Sequence, residues 1–368
     1  MYLTLKVNTP IQTAYDFDTL FNTACIKSKT QNITNHNKTI IILDLPKKQP
    51  NHILFCKHQL NQLIASHPQI MQLTESEITN LYTTYKIKKK TTGFRTINAP
   101  NENLKSLQRI VLNTLQSFNT LAHDSAYAYV KGRSIYDAIA YHKQNDSKWF
   151  LKVDLQSFFD SCTKDFVYQQ LIKIYPFKLL ILDENCDKII KQLINLACLN
   201  GTLPQGNPLS PYLTNLVMLP LDYELNILAP VYTRYSDDML FSARTKFDLN
   251  KTIKNIEEIL KDTPLKIKYE KTRLGSINGS NWNLGLMLNK DNVITVGHEK
   301  KRKYKAAIDQ FLRSPENYDT KEIQKLSGIT AYYMHIEPDY FRHIINKYNV
   351  KHHKNLLNLL HHPEKLGW

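Results

Sequence analysis

Glycine is scarce in this chain, at 10 of 368 residues, well under the ~7% of an average protein. Each glycine is therefore informative. Gly132, Gly201, Gly206, Gly275 and Gly285 all fall in the motifs taken up below. Cysteine is scarce too. Cys25, Cys56, Cys162, Cys186 and Cys198 are odd in number, scattered and never spaced Cys-x-x-Cys. That argues against a disulfide framework or a zinc knuckle and fits a reducing cytoplasm. No apolar run approaches the roughly 18–20 residues that cross a bilayer. The opening MYLTLKVNTPIQ lacks the basic-then-apolar order of a signal peptide. Acidic residues are outnumbered, 33 Asp plus Glu against 48 Lys plus Arg, a formal charge of +15. Such a surplus says little about fold, but it favours a polyanionic partner, nucleic acid ahead of a membrane surface. Apolar material is plentiful: 42% of residues are hydrophobic, with 21 Tyr and 14 Phe. A sizeable core follows, and wholesale disorder is excluded.

The length predicts two or three lobes. Residues 1–65 are rich in Asn, Thr, Lys and Ile and carry one strand-like run, TIIILDL at 39–45. The stretch 75–90 reads as a helix entering a basic strand. Apolar residues at 104, 107, 110, 111, 115, 118 and 121 make a helical stripe. A strand is expected from Trp149, two helices over 164–200, and a buried helix over 209–219. VYTRYSDDMLFSA (231–243) reads as strand, tight turn, strand, and 251–261 as an amphipathic helix. Further strands are expected at 265–271 and 282–296, then helices over 299–362. Strands interleaved with helices predict an α+β fold.

Asp237 and Asp238 sit between two apolar segments, VYTRY and MLFSA. Adjacent carboxylates repel and have poor strand propensity. Alone, the pair reads as a solvated acidic turn. Asp154 ends another apolar strand, however, and a third carboxylate would complete an oxygen-ligand site for Mg²⁺. Phosphoryl transfer with two metals is the natural use of such a set. Between the acids lies GTLPQGNPLSPYLTNL (201–216). A turn before a helix accounts for its prolines and for Gly206. It does not account for Gln205, which can hydrogen-bond a sugar or base edge beside a glycine that permits close backbone approach.

In that order the segments resemble the reverse transcriptase family, across roughly residues 85–335. FRTINAP with LKSLQRIVL (94–112) and GRSIYDAIAYH (132–142) look like the two fingers motifs. KVDLQSFFDS (152–161) looks like motif A, GTLPQGNPLSPYLTNL like motif B and RYSDDML (234–240) like the Tyr-x-Asp-Asp of motif C. YEKTRLGS (269–276), NWNLGLMLN (281–289) and LSGITAYYMHIEP (326–338) look like motif D, the turn of motif E and the start of a helical thumb. One Tyr-x-Asp-Asp is weak evidence. A full set in family order is specific.

The resemblance implies a right-hand polymerase fold, with an N-terminal extension (1–65), fingers (66–150), a palm of antiparallel sheet backed by helices (151–296, with 164–210 returning to the fingers) and a basic helical thumb and tail (297–368). It implies that Asp154, Asp237 and Asp238 bind two Mg²⁺ ions (Mn²⁺ as a substitute), with the carbonyl of Leu155 facing a metal. Arg95 would hold the incoming triphosphate, with Lys89 or Lys90 beside it. Gln205 and Gly206 would meet the sugar side of the nucleotide, and Tyr235 the primer end or templating pair. Lys271 matches a lysine that protonates the leaving pyrophosphate. Phe159, five residues after Asp154, stands where the family places its sugar gate and implies deoxynucleotide selection.

The chain ends soon after the thumb, which implies a stand-alone bacterial enzyme of the retron or defence-associated kind. Two departures from the retron pattern stand out: Asp137-Ala138 precedes His142 by one residue too many, and Asn283-Leu284-Gly285 follows motif D. Retron and other antiphage-defence classes therefore both stay open. The expected activity is RNA-directed DNA synthesis on a dedicated non-coding RNA. Template-independent or protein-primed synthesis is the alternative, and a non-catalytic RNA-binding scaffold a second. The expected partners are RNA, the DNA product, dNTPs, and an effector protein or a second copy of the chain, in the cytoplasm with no membrane. The 297–368 region holds 13 Lys/Arg against 8 Asp/Glu and seven of the 13 histidines, which favours a basic surface gripping nucleic acid over a metal site.

Overall fold

WFLKVD is rich in aromatic and β-branched residues, and in the computed structural model this run forms the strand Trp149–Asp154. The structure describes residues 2–7, 31–35, 38–44, 49–88, 93–277 and 282–361. Its chain divides into two compact units, each assembled from separate segments. The first draws on Met1–Tyr129, Leu155–Ile227 and Ile256–Lys266; the second on Val130–Asp154, Leu228–Asn255 and Ile267–Trp368. The whole is a mixed α+β protein. No helix among the described residues is long and apolar enough to cross a membrane.

The first unit is mostly helical. An antiparallel sheet of Tyr2–Val7, Lys38–Asp44 and Gln31–Asn35 precedes the helix Gln49–Ser66. Thr74 caps the short helix Glu75–Asn80 in a capping box with Glu77, and the hairpin Tyr82–Lys88 with Phe94–Pro100 follows. Asn101 caps the helix Glu102–Ser117, whose buried Leu104, Leu107, Val111 and Leu115 are the expected stripe. The stripe does not reach Leu121, which is 49% exposed, because the helix ends at Ser117 and Asn119 turns to φ +51°. Over 164–200 there are three helices rather than two: Lys164–Leu171, Phe177–Leu180 and Glu184–Ala197. The buried helix Ser210–Asn226 outruns the apolar run and passes through Pro220. Burial of Leu221 and Leu225 beyond the proline offsets the lost backbone bond.

The second unit is built on a four-stranded antiparallel sheet. Its order is Val231–Tyr235, Asp238–Ala243, Trp149–Asp154, Arg273–Ser276. The hairpin strands are buried at nearly every position rather than in alternation. The strand expected at 265–271 falls later, at Arg273–Ser276. Tyr269–Lys271 instead forms a 3-10 turn, and the amide of Lys268 donates to the carbonyl of Asp154 at 2.8 Å. Trp282–Asn283, Leu286–Leu288 and Ile294–Thr295 make a second small sheet. Helices His298–Arg313, Thr320–Ile336, Pro338–His352 and Leu356–His361 follow. Ile139 from the helix Ile135–Gln144 shares one core with Phe150, Leu240, Leu286, Phe311 and Phe341. This helix thus packs between the strands and the C-terminal helices of its own unit.

Candidate active site

The sheet register sets the acids. Asp154 lies directly opposite Asp238, and Asp238 opposite Tyr235. Residues opposed across a ladder project to the same face, so Tyr235, Asp238 and Asp154 line up across three strands. The strands Val231–Tyr235 and Asp238–Ala243 leave only Ser236 and Asp237 for the turn. A two-residue hairpin loop needs a positive φ, and Ser236 supplies it at +60°. Arg234, 1% exposed, donates from a guanidinium nitrogen to the carbonyl of Ser236 at 3.2 Å. A buried cation thus braces the turn that carries Asp237.

Charge at the site is compensated within the unit. Lys271 Nζ donates to Asp154 Oδ2 at 2.7 Å, and Asp154 is 3% exposed. Lys152 Nζ lies 2.8 Å from Asp238 Oδ1 as an ion pair, yet that buried oxygen has no aligned hydrogen-bond donor. Burial pushes the Asp237 carboxyl above its ordinary range, and repulsion from Asp238 and Asp154 adds to this against the weaker pull of Lys271. For Lys271 burial works against the charge. The hydrogen bond to Asp154 and the field of all three aspartates outweigh it, and its pKa is raised.

Among the described residues no three His, Cys, Asp or Glu side chains are gathered so that they could hold a metal ion. The donor chemistry nonetheless fits a hard cation: carboxylate oxygens at adjacent strand ends, one buried Oδ1 without a hydrogen bond, and an ammonium drawn onto each of two carboxylates.

The other candidate residues belong to the first unit. Arg95 is exposed on the strand Phe94–Pro100. Lys89 and Lys90 lie outside the described residues. The carbonyl of Gln205 accepts from the amide of Asn98 at 2.8 Å, which ties the Pro-Gln-Gly loop to the strand bearing Arg95. Asn207 holds the loop from the other side. Its side-chain amide donates to the Tyr82 hydroxyl at 2.9 Å and to the Ala197 carbonyl at 2.8 Å. The side chain of Leu155 is buried. Phe158 and Phe159 open the short helix Phe158–Ser161, with Phe158 buried and Phe159 half-buried. Lys152, Arg234 and Asn207 were not singled out from the sequence. The available signals were Lys152 two residues before Asp154 on a strand, and a lone arginine in an apolar one.

The second unit thus carries a paired aspartate turn with a third aspartate across the ladder, and the first unit a Pro-Gln-Gly loop. Residues 87–308 match the Reverse transcriptase (RNA-dependent DNA polymerase) family, and the chain belongs to it. Within that family it is related to bacterial retron enzymes. It is 28% identical to the Retron Ec83 reverse transcriptase of Escherichia coli, over 77% of this chain and 92% of that protein. It is 32% identical to the Retron Ec73 reverse transcriptase of Escherichia coli, over 74% and 89%. Among solved structures it is similar to telomerase from Candida albicans, with TM-score 0.43 and 11% identity over 93% of this chain and 71% of that one. The departures at Asp137–His142 and Asn283–Gly285 therefore do not set the chain apart from retron-type reverse transcriptases.

Proposed function

We propose that this protein copies a dedicated, structured non-coding RNA into DNA in the bacterial cytoplasm, as part of antiphage defence. Relatedness to retron reverse transcriptases supports the RNA and the defence role. The single observation that carries the chemistry is the placement of Asp154 opposite Asp238, with Asp237 on the adjoining turn. Asp154, Asp237 and Asp238 would hold two Mg²⁺ ions, with the Leu155 carbonyl as a further oxygen donor. Bound there, such ions would supply Lewis acidity, lowering the pKa of the primer 3′-hydroxyl and stabilising the leaving pyrophosphate. Lys271, protonated at neutral pH and 53% exposed in its side chain, would supply the proton that the leaving group takes up. Lys152 would neutralise Asp238 until substrate arrives. Tyr235 would flank the primer terminus.

The first unit would supply the nucleotide contacts. Arg95, with Lys89 or Lys90, would grip the triphosphate. Gln205 and Gly206 would meet the sugar and base side, and the Phe159 ring would crowd a 2′-hydroxyl. The test is incorporation of dNTPs on an RNA template with a DNA primer and Mg²⁺. Asp154→Asn and Asp237→Asn should each lower kcat by about a hundredfold or more while the protein stays folded by circular dichroism. Wild-type kcat in either variant would reject the site. Sequencing RNA that copurifies with the protein tests the template: a single structured species is expected, and a random sample of cellular RNA would reject it.

A further inference from the structure

His142 in the second unit is a fully buried titratable side chain that the chemistry above does not use. Its ring is fully buried, as are Ser147 and Ser242, and Thr233 nearly so. Both ring nitrogens are engaged: Nδ1 lies 2.5 Å from Ser242 Oγ and Nε2 lies 2.8 Å from Thr233 Oγ1. Ser147 Oγ extends the chain, 2.6 Å from Ser242 Oγ. A neutral imidazole offers one donor and one acceptor, and a hydroxyl can serve as either. The line Thr233–His142–Ser242–Ser147 is therefore satisfied in one continuous direction without a charge. Burial holds the ring in that neutral form, with its pKa pushed down to about 3.

The partners make this more than a core contact. Thr233 and Ser242 stand on the two strands of the hairpin whose turn carries Asp237 and Asp238. Ser242 pairs with Val231, and Asp238 with Tyr235. Because side chains alternate with period two, Thr233 and Tyr235 share a face, as do Ser242 and Asp238. The histidine thus grips the acid-bearing face itself, at Ser242 four residues behind Asp238 and at Thr233 two residues behind Tyr235, or roughly 13 and 7 Å along the strands at about 3.3 Å per residue. It stands on the helix Ile135–Gln144, whose Ile139 is locked into the core with Phe150 and Leu240. One ring thereby fixes both hairpin strands to a rigid element from one side.

We propose that His142 is a positioning residue for the aspartate turn: by bridging Thr233 and Ser242 it sets the register and height of Asp237 and Asp238 relative to Asp154. The proposal rests on the polymerase reading of those three acids. Loss of the bridge should misplace the turn without touching substrate, and a displacement of about 1 Å can cost on the order of a hundredfold in rate.

The test uses the full-length protein on a poly(rA) template with an oligo(dT) primer, dTTP and Mg²⁺. His142→Phe keeps an aromatic ring of similar size and removes both bonds. His142→Gln keeps a donor and acceptor near the Nε2 position and so retains the Thr233 link. Thr233→Val removes one bond from the hairpin side with little change in shape. The expected result is a fall in kcat of about ten- to a hundredfold for His142→Phe, with KM for dTTP and affinity for primer–template within about twofold of wild type. Thr233→Val should lose part of kcat, and His142→Gln should recover part. Mn²⁺ affinity, read by electron paramagnetic resonance, should weaken in His142→Phe in parallel with kcat. Folded His142→Phe or Thr233→Val protein with wild-type kcat and Mn²⁺ affinity would overturn the proposal. So would a loss spread equally over kcat, KM and primer binding, which marks general destabilisation. If His142→Phe does not fold, Thr233→Val alone decides. Should Asp237→Asn retain activity, the polymerase reading itself fails, an outcome separate from any behaviour of His142.

Discussion

A single added carbon tests how tightly the Pro-Gln-Gly loop is held. Gly206 has φ +120°, a conformation side chains rarely adopt, and a Cβ there would lie 2.5 Å from the carbonyl oxygen of Asn98. The neighbour is backbone in the strand that carries Arg95, so it cannot swing aside. Gly206→Ala should therefore cost about 1–3 kcal/mol of stability, read as a lower thermal midpoint. It should also raise KM for dNTP more than it lowers kcat, because Gln205 moves while the aspartates do not. An unchanged KM would separate the loop from nucleotide binding. The residues that were legible in the sequence share one property: their chemistry conflicts with their surroundings. Asp237 and Asp238 interrupt apolar strands, and a Gln-Gly pair interrupts a proline turn. Lys152, Arg234 and Asn207 were not legible because their importance lies in the partner each one reaches. Lys152 at 2.8 Å from Asp238 is a lysine on a strand until the register is known.

At the scale of elements, pattern served where an apolar signal runs the length of an element and failed where geometry is local. The stripe of Glu102–Ser117 and the hairpin about Asp237 were readable from periodicity and apolar flanks. The break of 164–200 into three helices was not, because the short Phe177–Leu180 turn is too brief to show a period. Nor was the shift of the expected 265–271 strand to Arg273–Ser276, which depends on the 3-10 turn that holds Lys271 against Asp154.

The junction of the helix Ile135–Gln144 with the hairpin carries a pH signature. His142 in the folded protein has its pKa lowered from 6.5 to about 3 by burial. The unfolded chain therefore binds the extra proton between those values, and stability rises with pH across that window. The contribution is complete above about 6.5 and is lost progressively as pH falls towards 3. Urea midpoints measured from pH 7.5 to 4.5 should drop for wild type and drop less steeply for His142→Gln. Parallel curves would show that another group dominates the acid limb. Asp183, held down to about 2 first by its hydrogen bond from Lys57 and then by the amide of Cys186, loses its contribution only below its unfolded value near 3.8. Above about pH 3.8 the histidine effect is therefore the one of the two that is read.

For the whole molecule the governing quantity is the surplus of +15. Much of it was readable as a preference for polyanions, but the sequence alone does not say which cations meet phosphate. Several lysines are committed elsewhere: Lys152 and Lys271 to the aspartates, Lys301 to Glu337, Lys351 to Asp309. Arg302 on the helix His298–Arg313 and Lys325 on Thr320–Ile336 are exposed. They sit in the 297–368 region, which holds 13 Lys/Arg against 8 Asp/Glu. If these helices track a nucleic acid backbone, each contact releases a counterion, and the logarithm of affinity falls with the logarithm of salt by about 0.9 per phosphate on a B-form duplex. The wild-type protein should bind a primed RNA–DNA hybrid with a steep, linear salt dependence. Replacing both residues, Arg302→Gln with Lys325→Gln, should flatten the slope by up to about 2 and weaken binding equally on unrelated sequences, since backbone contacts carry no sequence information. Fluorescence anisotropy between 50 and 300 mM KCl reads the slope directly. An unaltered slope in a folded double variant would show that the hybrid does not lie against these two helices, and would move the phosphate-tracking surface to the first unit.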